Sequence, residues 1–130
     1  MTDTAGVIGL GIMGGAFARL MVDGGVYVFG YDPSIDALEA ARAAGVETMG
    51  SSAAVAEKAD VIMASLPSPA ALIAVAEEIA ASCASGCVVV EASTLTLADK
   101  QKAHDILAAA GHTLLDCPVS YKQAIPRMGH

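Results

Sequence analysis

Short apolar runs alternate with longer segments of helical character along most of this chain. The apolar runs, several of them rich in β-branched residues, cover 6–8, 26–31, 46–49, 61–66, 87–92 and 112–117. The segments between them predict helices over 13–22, 33–44, 51–58, 70–81 and 96–110. This alternation is typical of βαβ units and predicts an α/β fold with a parallel sheet.

Turn-forming and capping residues separate these segments. Gly45 and Gly111 are placed to end the second and fifth helices, and the pair Ser51–Ser52 is placed to cap the third. Pro67 and Pro69 predict a hinge before the fourth helix. Because six strands are joined by helical crossovers, the pattern predicts a doubly wound, Rossmann-type parallel sheet with strand order 3-2-1-4-5-6.

Length and charge narrow the class of protein. A chain of 130 residues is long enough for one domain with a real core. The formal net charge is −7, so nucleic acid and anionic membranes are not expected partners, because binding them needs clustered basic residues. No apolar run reaches the roughly 20 residues of a membrane-spanning helix, and Asp3 stands where a signal peptide carries positive charge. These features predict a soluble, cytoplasmic protein.

The cysteines and histidines form no pattern that indicates a metal or a catalytic site. Cys83 and Cys87 have neither the spacing nor the histidine neighbours of a zinc site. We therefore interpret these two and Cys117 as buried or half-buried thiols, and we predict no metal site. The histidines are scattered along the sequence and receive a structural interpretation: His104, His112 and His130.

Four glycines fall within seven positions at the start of the first predicted helix, in the stretch VIGLGIMGGAFARLM at 7–21. Each costs roughly 0.5–1 kcal/mol relative to alanine in a helix or strand, so a compensating role is expected. Gly9, Gly11 and Gly14 have G-x-G-x-x-G spacing. In that motif the first glycine permits a tight turn, the second lets a pyrophosphate approach the backbone, and the third allows close packing of helix on strand. If the motif is taken alone, the alternative interpretation is a glycine-rich turn that binds no ligand.

Asp32 ends the second predicted strand, 18 residues after Gly14. A carboxylate at this place accepts hydrogen bonds from both hydroxyls of an adenine ribose and repels a 2′-phosphate. The adjacent Pro33 and Ser34 provide no arginine to bind such a phosphate. The sequence therefore predicts NAD as the cofactor, in preference to NADP. A role for Asp32 in capping the next helix is the alternative.

The stretch IGLGIMGGAFA at 8–18 resembles the opening G-L-G-x-M-G-x-x-M-A of the β-hydroxyacid dehydrogenases, the family of 3-hydroxyisobutyrate and 6-phosphogluconate dehydrogenases. Phe17 replaces a methionine of that pattern, and Leu20 stands where the family commonly has asparagine. The matching positions are Gly9, Leu10, Gly11, Met13, Gly14 and Ala18.

Three further segments resemble the same family in the same order. SLP at 65–67 is similar to its Leu-Pro after the fourth strand, EAST at 91–94 to its D-x-S-T, and LLDCPVS at 114–120 to its F-x-D-A-P-V-S. The resemblance implies an oxidoreductase in which Ser120 contacts the substrate. It also implies cofactor contacts from Gly9, Leu10, Gly11, Ile12, Met13, Gly14, Asp32, Leu66, Pro67 and Thr94.

The resemblance ends after Ser120. We therefore expect a dinucleotide-binding domain over 1–120 and a divergent tail over 121–130. The family continues with a Gly-Gly pair, a helix that carries the catalytic lysine, and an all-helical domain, and none of these follows here. Lys122 matches the spacing of no family lysine, so we assign no catalytic residue. Without the helical domain, apolar surface at the sixth strand would be exposed, and we expect a homo-oligomer or a docked partner.

Two functions from different classes are consistent with these features. The first is the NAD-binding part of a 3-hydroxyacid dehydrogenase, truncated or split, which acts on a small hydroxy acid only when a helical domain completes it. The second is a stand-alone nucleotide-binding module without turnover, such as a sensor, a scaffold or a decayed gene product. The imine reductases share the G-L-G-x-M-G opening, but most of them favour NADP, which Asp32 disfavours.

Overall fold

One parallel sheet organises the molecule. The computed structural model describes residues 3–82 and 86–117. The strands are β1 (Thr4–Ile8), β2 (Tyr27–Tyr31), β3 (Glu47–Thr48), β4 (Val61–Ala64), β5 (Val88–Glu91) and β6 (Thr113–Asp116). All neighbouring strands run parallel, in the order β3-β2-β1-β4-β5-β6. The predicted α/β fold and the predicted strand order are confirmed.

Helices form the crossovers between the strands. They are α1 (Ile12–Asp23), α2 (Ile35–Ala43), α3 (Ser52–Lys58), α4 (Pro69–Ser82) and α5 (Leu97–Ala109). Ser34, Ser51 and Thr96 precede α2, α3 and α5, and each hydroxyl accepts the backbone N–H three residues further on, at 3.3, 3.1 and 3.2 Å. Gly45 and Gly111 follow α2 and α5 with φ of +103° and +88°, a left-handed conformation that favours glycine.

The prediction of a hinge at Pro67 and Pro69 is wrong for the second proline. Pro69 is the first residue of α4, and the Ser68 hydroxyl before it accepts the N–H of Ala71 at 3.2 Å. Proline suits this position because the first N–H of a helix has no partner within the helix and the ring fixes a helical φ. The turn that leads into α4 is therefore capped at its start.

The two faces of the sheet carry separate cores. Side chains alternate along a strand, so the neighbours Val7 and Ile8 point to opposite faces and belong to different buried clusters. One cluster joins β1 and β2 to α1 and α2, and the other lies against α3, α4 and α5. The sequence of crossovers thus reverses between β1 and β4, which makes their carboxyl ends the switch point of the sheet.

On the face of the sheet that packs against α1 and α2, the half formed by β4, β5 and β6 is less completely covered. The side chains there are half-buried or exposed, and they belong to three adjacent strands: Val61, Met63, Val88, Val90 and Leu115. Parallel sheets are normally covered on both faces, so this apolar surface is unusual. We refer to these five residues as the β4–β6 apolar face.

The structure shows the surroundings of several cysteine and histidine residues named in the sequence analysis. Cys87 is buried as predicted, but Cys117 is exposed, because it lies at the end of the edge strand β6. His112 is buried, and its Nδ1 accepts the N–H of Cys87 at 3.0 Å, which is a structural role. Predictions for Cys83, Ser120, Lys122 and the tail 121–130 lie outside the described residues. Within 3–82 and 86–117, every helix is too short or too polar to cross a membrane.

Candidate dinucleotide-binding cleft

The turn between β1 and α1 needs glycine at two positions for steric reasons. Gly9 has φ of +94°, and a β-carbon built on it would lie 2.0 Å from the carbonyl oxygen of Ser65. A β-carbon on Gly14 would lie 1.7 Å from the carbonyl oxygen of Gly9. Gly11 differs from both, since no atom lies within 4 Å of its would-be β-carbon. The first and third glycines therefore close the turn, and the second borders open space.

The N-terminus of α1 has no side chain to cap it. Its N-cap residue is Gly11, and the first turn holds no acidic residue. In the described part of the chain, α1 is alone in this respect, because Ser or Thr hydroxyls accept an N–H at the start of each of the other four helices. The N–H groups at the start of α1, together with the positive end of its dipole, are thus available to an anion.

Asp32 lies directly after β2 and faces the glycine turn. Its Oδ2 accepts the N–H of Leu10 at 2.8 Å, and its Oδ1 accepts the N–H of Ser34 at 2.8 Å. The cap of α2 is Ser34, so Asp32 is not the helix cap that was considered as an alternative. A carboxylate has about four lone-pair positions. These two bonds leave lone pairs that can accept hydrogen bonds from two hydroxyl groups of a ligand.

A cavity of about 500 Å³ lies at the carboxyl ends of β1, β2 and β4. It brings together five of the residues predicted to bind the cofactor: Gly9, Gly11, Asp32, Leu66 and Pro67. The lining also includes Ser52 and Glu78, which the sequence interpretation did not select. The Glu78 carboxylate accepts the N–H of Ala53 at 3.3 Å, so it joins α4 to the start of α3 at the cavity wall. Glu78 has no motif around it, and only the three-dimensional fold identifies it.

The other predicted contacts within the described residues are not part of the lining of this cavity. The Leu10 side chain is buried in the core with α1 and α2, so its backbone is the part that can face a ligand. Ile12 is 79% exposed and Met13 is half-buried at the start of α1. Thr94 is exposed after β5 and does not line the cavity. Ser120 lies outside the described residues.

The sequence interpretation missed a charged network at the carboxyl ends of β5 and β6. Glu91, at the end of β5, is 0% exposed, and Lys100, in the first turns of α5, is 5% exposed. The Lys100 ammonium lies 3.9 Å from a Glu91 oxygen and 2.5 Å from Asp116 of β6. Ser93 is bound to Glu91 through both its N–H and its hydroxyl, at 2.7 and 3.3 Å.

Burial raises the pKa of the Glu91 carboxyl above its usual range. The hydrogen bonds from Ser93 and the positive charge of Lys100 act in the opposite direction, and the negative charge of Asp116 adds to the increase. One signal in the sequence could have identified this network. A lysine near the N-terminus of a helix is unfavourable for the dipole, so Lys100 indicates a nearby negative partner.

These features place the chain among Rossmann-type α/β domains, in which dinucleotides bind at the switch point of the sheet. The family whose model matches residues 4–129 is described as the NAD binding domain of 6-phosphogluconate dehydrogenase. The chain belongs to this family. The resemblance found in the four sequence segments is thereby confirmed.

The relatives of this chain are longer proteins. A probable mitochondrial 3-hydroxyisobutyrate dehydrogenase of Dictyostelium discoideum is 33% identical over 122 residues, which is 92% of this chain and 38% of that protein. The structure of a Mycobacterium tuberculosis 3-hydroxyisobutyrate dehydrogenase with L-serine is 29% identical with a TM-score of 0.88, over 92% of this chain and 41% of that one. The chain therefore spans about 40% of the length of the relatives it matches.

The imine reductases share the fold. One from Myxococcus stipitatus, solved in complex with NADP+, is 16% identical with a TM-score of 0.77. The match covers 86% of this chain and 39% of the reductase. At this identity the likeness concerns the fold alone. It shows that the same architecture also occurs in a protein that holds NADP+.

Proposed function

We propose that the cleft at the switch point binds NAD, with the pyrophosphate at the N-terminus of α1 and the adenine ribose on Asp32. The observation that carries this proposal is the uncapped start of α1 beside a cavity of about 500 Å³. Gly11 supports it, because open space at its α-carbon lets an anion reach the backbone. The remaining predicted contacts, from Leu10 to Thr94, are part of the same proposal.

The preference for NAD over NADP rests on the charge of Asp32. A 2′-phosphate on the ribose would lie against this carboxylate, and like charges at short distance repel. The half-buried position of Asp32 strengthens that effect because water screens it less.

We propose further that the chain supplies the cofactor half of an enzyme that moves hydride between a 3-hydroxy acid and the nicotinamide ring. The dehydrogenases it resembles extend well beyond the portion it matches. In this proposal the general acid or base comes from a helical domain, and Ser120 contacts the hydroxy acid. A stand-alone module that binds NAD without turnover is the second candidate. It is favoured if the purified chain binds NAD and shows no turnover of 3-hydroxy acids, alone or mixed with a helical domain from a relative.

The test of the binding proposal is calorimetric titration of the whole chain with NAD and, separately, with NADP. Asp32→Asn keeps the shape of the side chain but removes its charge, and Asp36→Asn on the exposed surface of α2 is the matched control. We expect Asp32→Asn to weaken NAD binding by about tenfold or more, since hydrogen bonds to charged groups contribute about 1.5–3 kcal/mol.

The same substitution should reduce the difference between NAD and NADP, while Asp36→Asn leaves both affinities unchanged. Equal binding of the two cofactors by the unsubstituted chain would contradict the preference. A chain that binds neither cofactor would contradict the proposed function itself.

Cytoplasmic location is a further part of the proposal, and cell fractionation tests it.

A further inference from the structure

The loops that follow β4 and β5 are tied together by a side chain. The last backbone hydrogen bond between these strands runs from the N–H of Ala92 to the carbonyl of Ala64, at 2.9 Å. The next amide in this direction, that of Leu66, donates instead to Ser93 Oγ at 2.6 Å. The spacing of the two loops beyond the end of the sheet is therefore set by Ser93.

Glu91 holds Ser93 in the orientation that this contact needs. The Ser93 N–H donates to Glu91 Oε1 at 2.7 Å, and the Ser93 hydroxyl donates to Oε2 at 3.3 Å. With its proton directed at the carboxylate, Oγ presents its lone pairs to the Leu66 amide. When the Glu91 carboxyl is ionised, its charge makes these bonds shorter and stronger than bonds to a neutral acceptor.

The Lys100 ammonium lies 3.9 Å from the buried Glu91 carboxyl and opposes the rise of its pKa, and Asp116 partners Lys100 on its other side. A buried ion pair is weak evidence for stability, because well-packed apolar residues of similar volume are often at least as stable. Apolar residues in place of Glu91 and Lys100 would not provide hydrogen bonds of defined direction. The contribution of Glu91 is therefore to the geometry of the loops.

We propose that Glu91 and Ser93 are positioning residues for the nicotinamide of the bound dinucleotide, through the spacing that they impose on the loops after β4 and β5. The proposal rests on the proposed function. In a doubly wound sheet each half faces one nucleotide, and Asp32 assigns the adenosine to the half formed by β1 and β2. The loops after β4 and β5 then face the nicotinamide nucleotide, and Leu66 lines the cavity at that side.

The test compares NAD with ADP-ribose, which lacks the nicotinamide, by calorimetric titration of the whole chain. Ser93→Ala removes the hydroxyl that the Leu66 amide uses, and Glu91→Gln keeps the shape of the carboxylate without its charge. Glu57→Gln, on the exposed end of α3, is the matched control. Ser93→Ala is the milder change and decides the question if Glu91→Gln does not fold.

We expect the unsubstituted chain to bind NAD more tightly than ADP-ribose. In Ser93→Ala, NAD binding should weaken by about tenfold, as for the loss of one buried hydrogen bond, while ADP-ribose binding changes by less than about twofold. Hydrogen exchange of the Leu66 amide should become faster in the same variant. Glu57→Gln should change none of these values.

Three results would overturn the positioning role. These are equal losses for both ligands, no loss for either, or a chain that already binds NAD and ADP-ribose equally. They differ from failure of the proposed function, in which the unsubstituted chain binds neither ligand and this proposal falls with it. A loss confined to NAD supports it, because general destabilisation of the fold would weaken both ligands.

Discussion

The glycines of the turn between β1 and α1 have different surroundings, so the same substitution should have different effects at each. At Gly14 a new β-carbon meets the backbone carbonyl of Gly9, which cannot move aside as a side chain would. We expect Gly14→Ala to lower the free energy of unfolding by about 1–3 kcal/mol or more, the usual range for an overpacked site. Urea unfolding followed by circular dichroism measures this.

Gly11→Ala should separate binding from stability. Its β-carbon would enter open space, and its φ of −70° is accessible to alanine, so the free energy of unfolding should change by less than about 1 kcal/mol. NAD binding should weaken at least about tenfold if the pyrophosphate lies against this residue. Gly50→Ala, which also meets no atom within 4 Å, is the control for both measurements. Unchanged NAD affinity in Gly11→Ala would contradict the placement of the pyrophosphate.

At the scale of the elements, Glu91 links β5, α5 and β6 and should make stability depend on pH. Its pKa is raised in the folded protein, chiefly by burial, so the folded state holds its proton more strongly than the unfolded state does. The stability that this group contributes is present below its unfolded pKa of about 4.3, and it is lost as the pH rises through the folded pKa. Lys100 and Asp116, which face the carboxyl, are unchanged in a Glu91→Gln variant.

We therefore expect the unsubstituted chain to lose stability relative to Glu91→Gln as the pH rises from about 4 to about 8. Urea unfolding of both proteins across this range gives the difference directly. Glu57→Gln should show no such trend, because that side chain is exposed. A difference that stays constant with pH would show that the folded and unfolded states bind the Glu91 proton equally.

The sequence predicted the elements well because their signals are local. Apolar runs mark the strands, and the hydroxyls of Ser34, Ser51 and Thr96 cap the helices they were expected to start. Strand ends were less predictable. β4 ends at Ala64, although the apolar run continues to Leu66, because the N–H of Leu66 donates to Ser93 Oγ and not to the backbone of β5.

The part of the site that was missed depends on contacts between distant segments. Gly9, Gly11 and Asp32 were found because a motif with fixed spacing brings them together. Glu78 and Lys100 have no such motif, and their positions depend on how α4 and α5 pack on the sheet. The short-range pattern therefore predicted residues that line the cavity, and for the network around Glu91 it offered only the unfavourable lysine near the start of α5.

At the scale of the whole molecule, the β4–β6 apolar face is the surface that the described residues leave partly exposed. Parallel strands rarely expose apolar side chains to water, and Leu115 of this face is 50% exposed. In the described part of the chain β6 pairs with β5 alone, so its outer edge also offers backbone groups to a further strand. The sequence led us to expect self-association or a docked partner, and we predict that a second copy binds at this surface.

Charge should set the conditions under which this association is observed. Each chain carries a formal charge of −7, so two copies repel at low ionic strength, and salt reduces that repulsion over a Debye length of about 10 Å at 0.1 M. Light scattering after size exclusion should therefore show a larger apparent mass as protein and salt concentrations increase. Leu115→Lys places a charge on the apolar face and should give a monomer under all these conditions.

Leu20→Lys, at a position on α1 that is 44% exposed, introduces the same charge away from this surface and should leave the association unchanged. If Leu20→Lys dissociates the protein as strongly as Leu115→Lys, the effect is one of net charge and the β4–β6 apolar face is not the interface. A monomer at every concentration of the unsubstituted chain would contradict self-association altogether. Loss of association in Leu115→Lys but not in Leu20→Lys would instead show that a second copy covers the half of the sheet that α1 and α2 leave exposed.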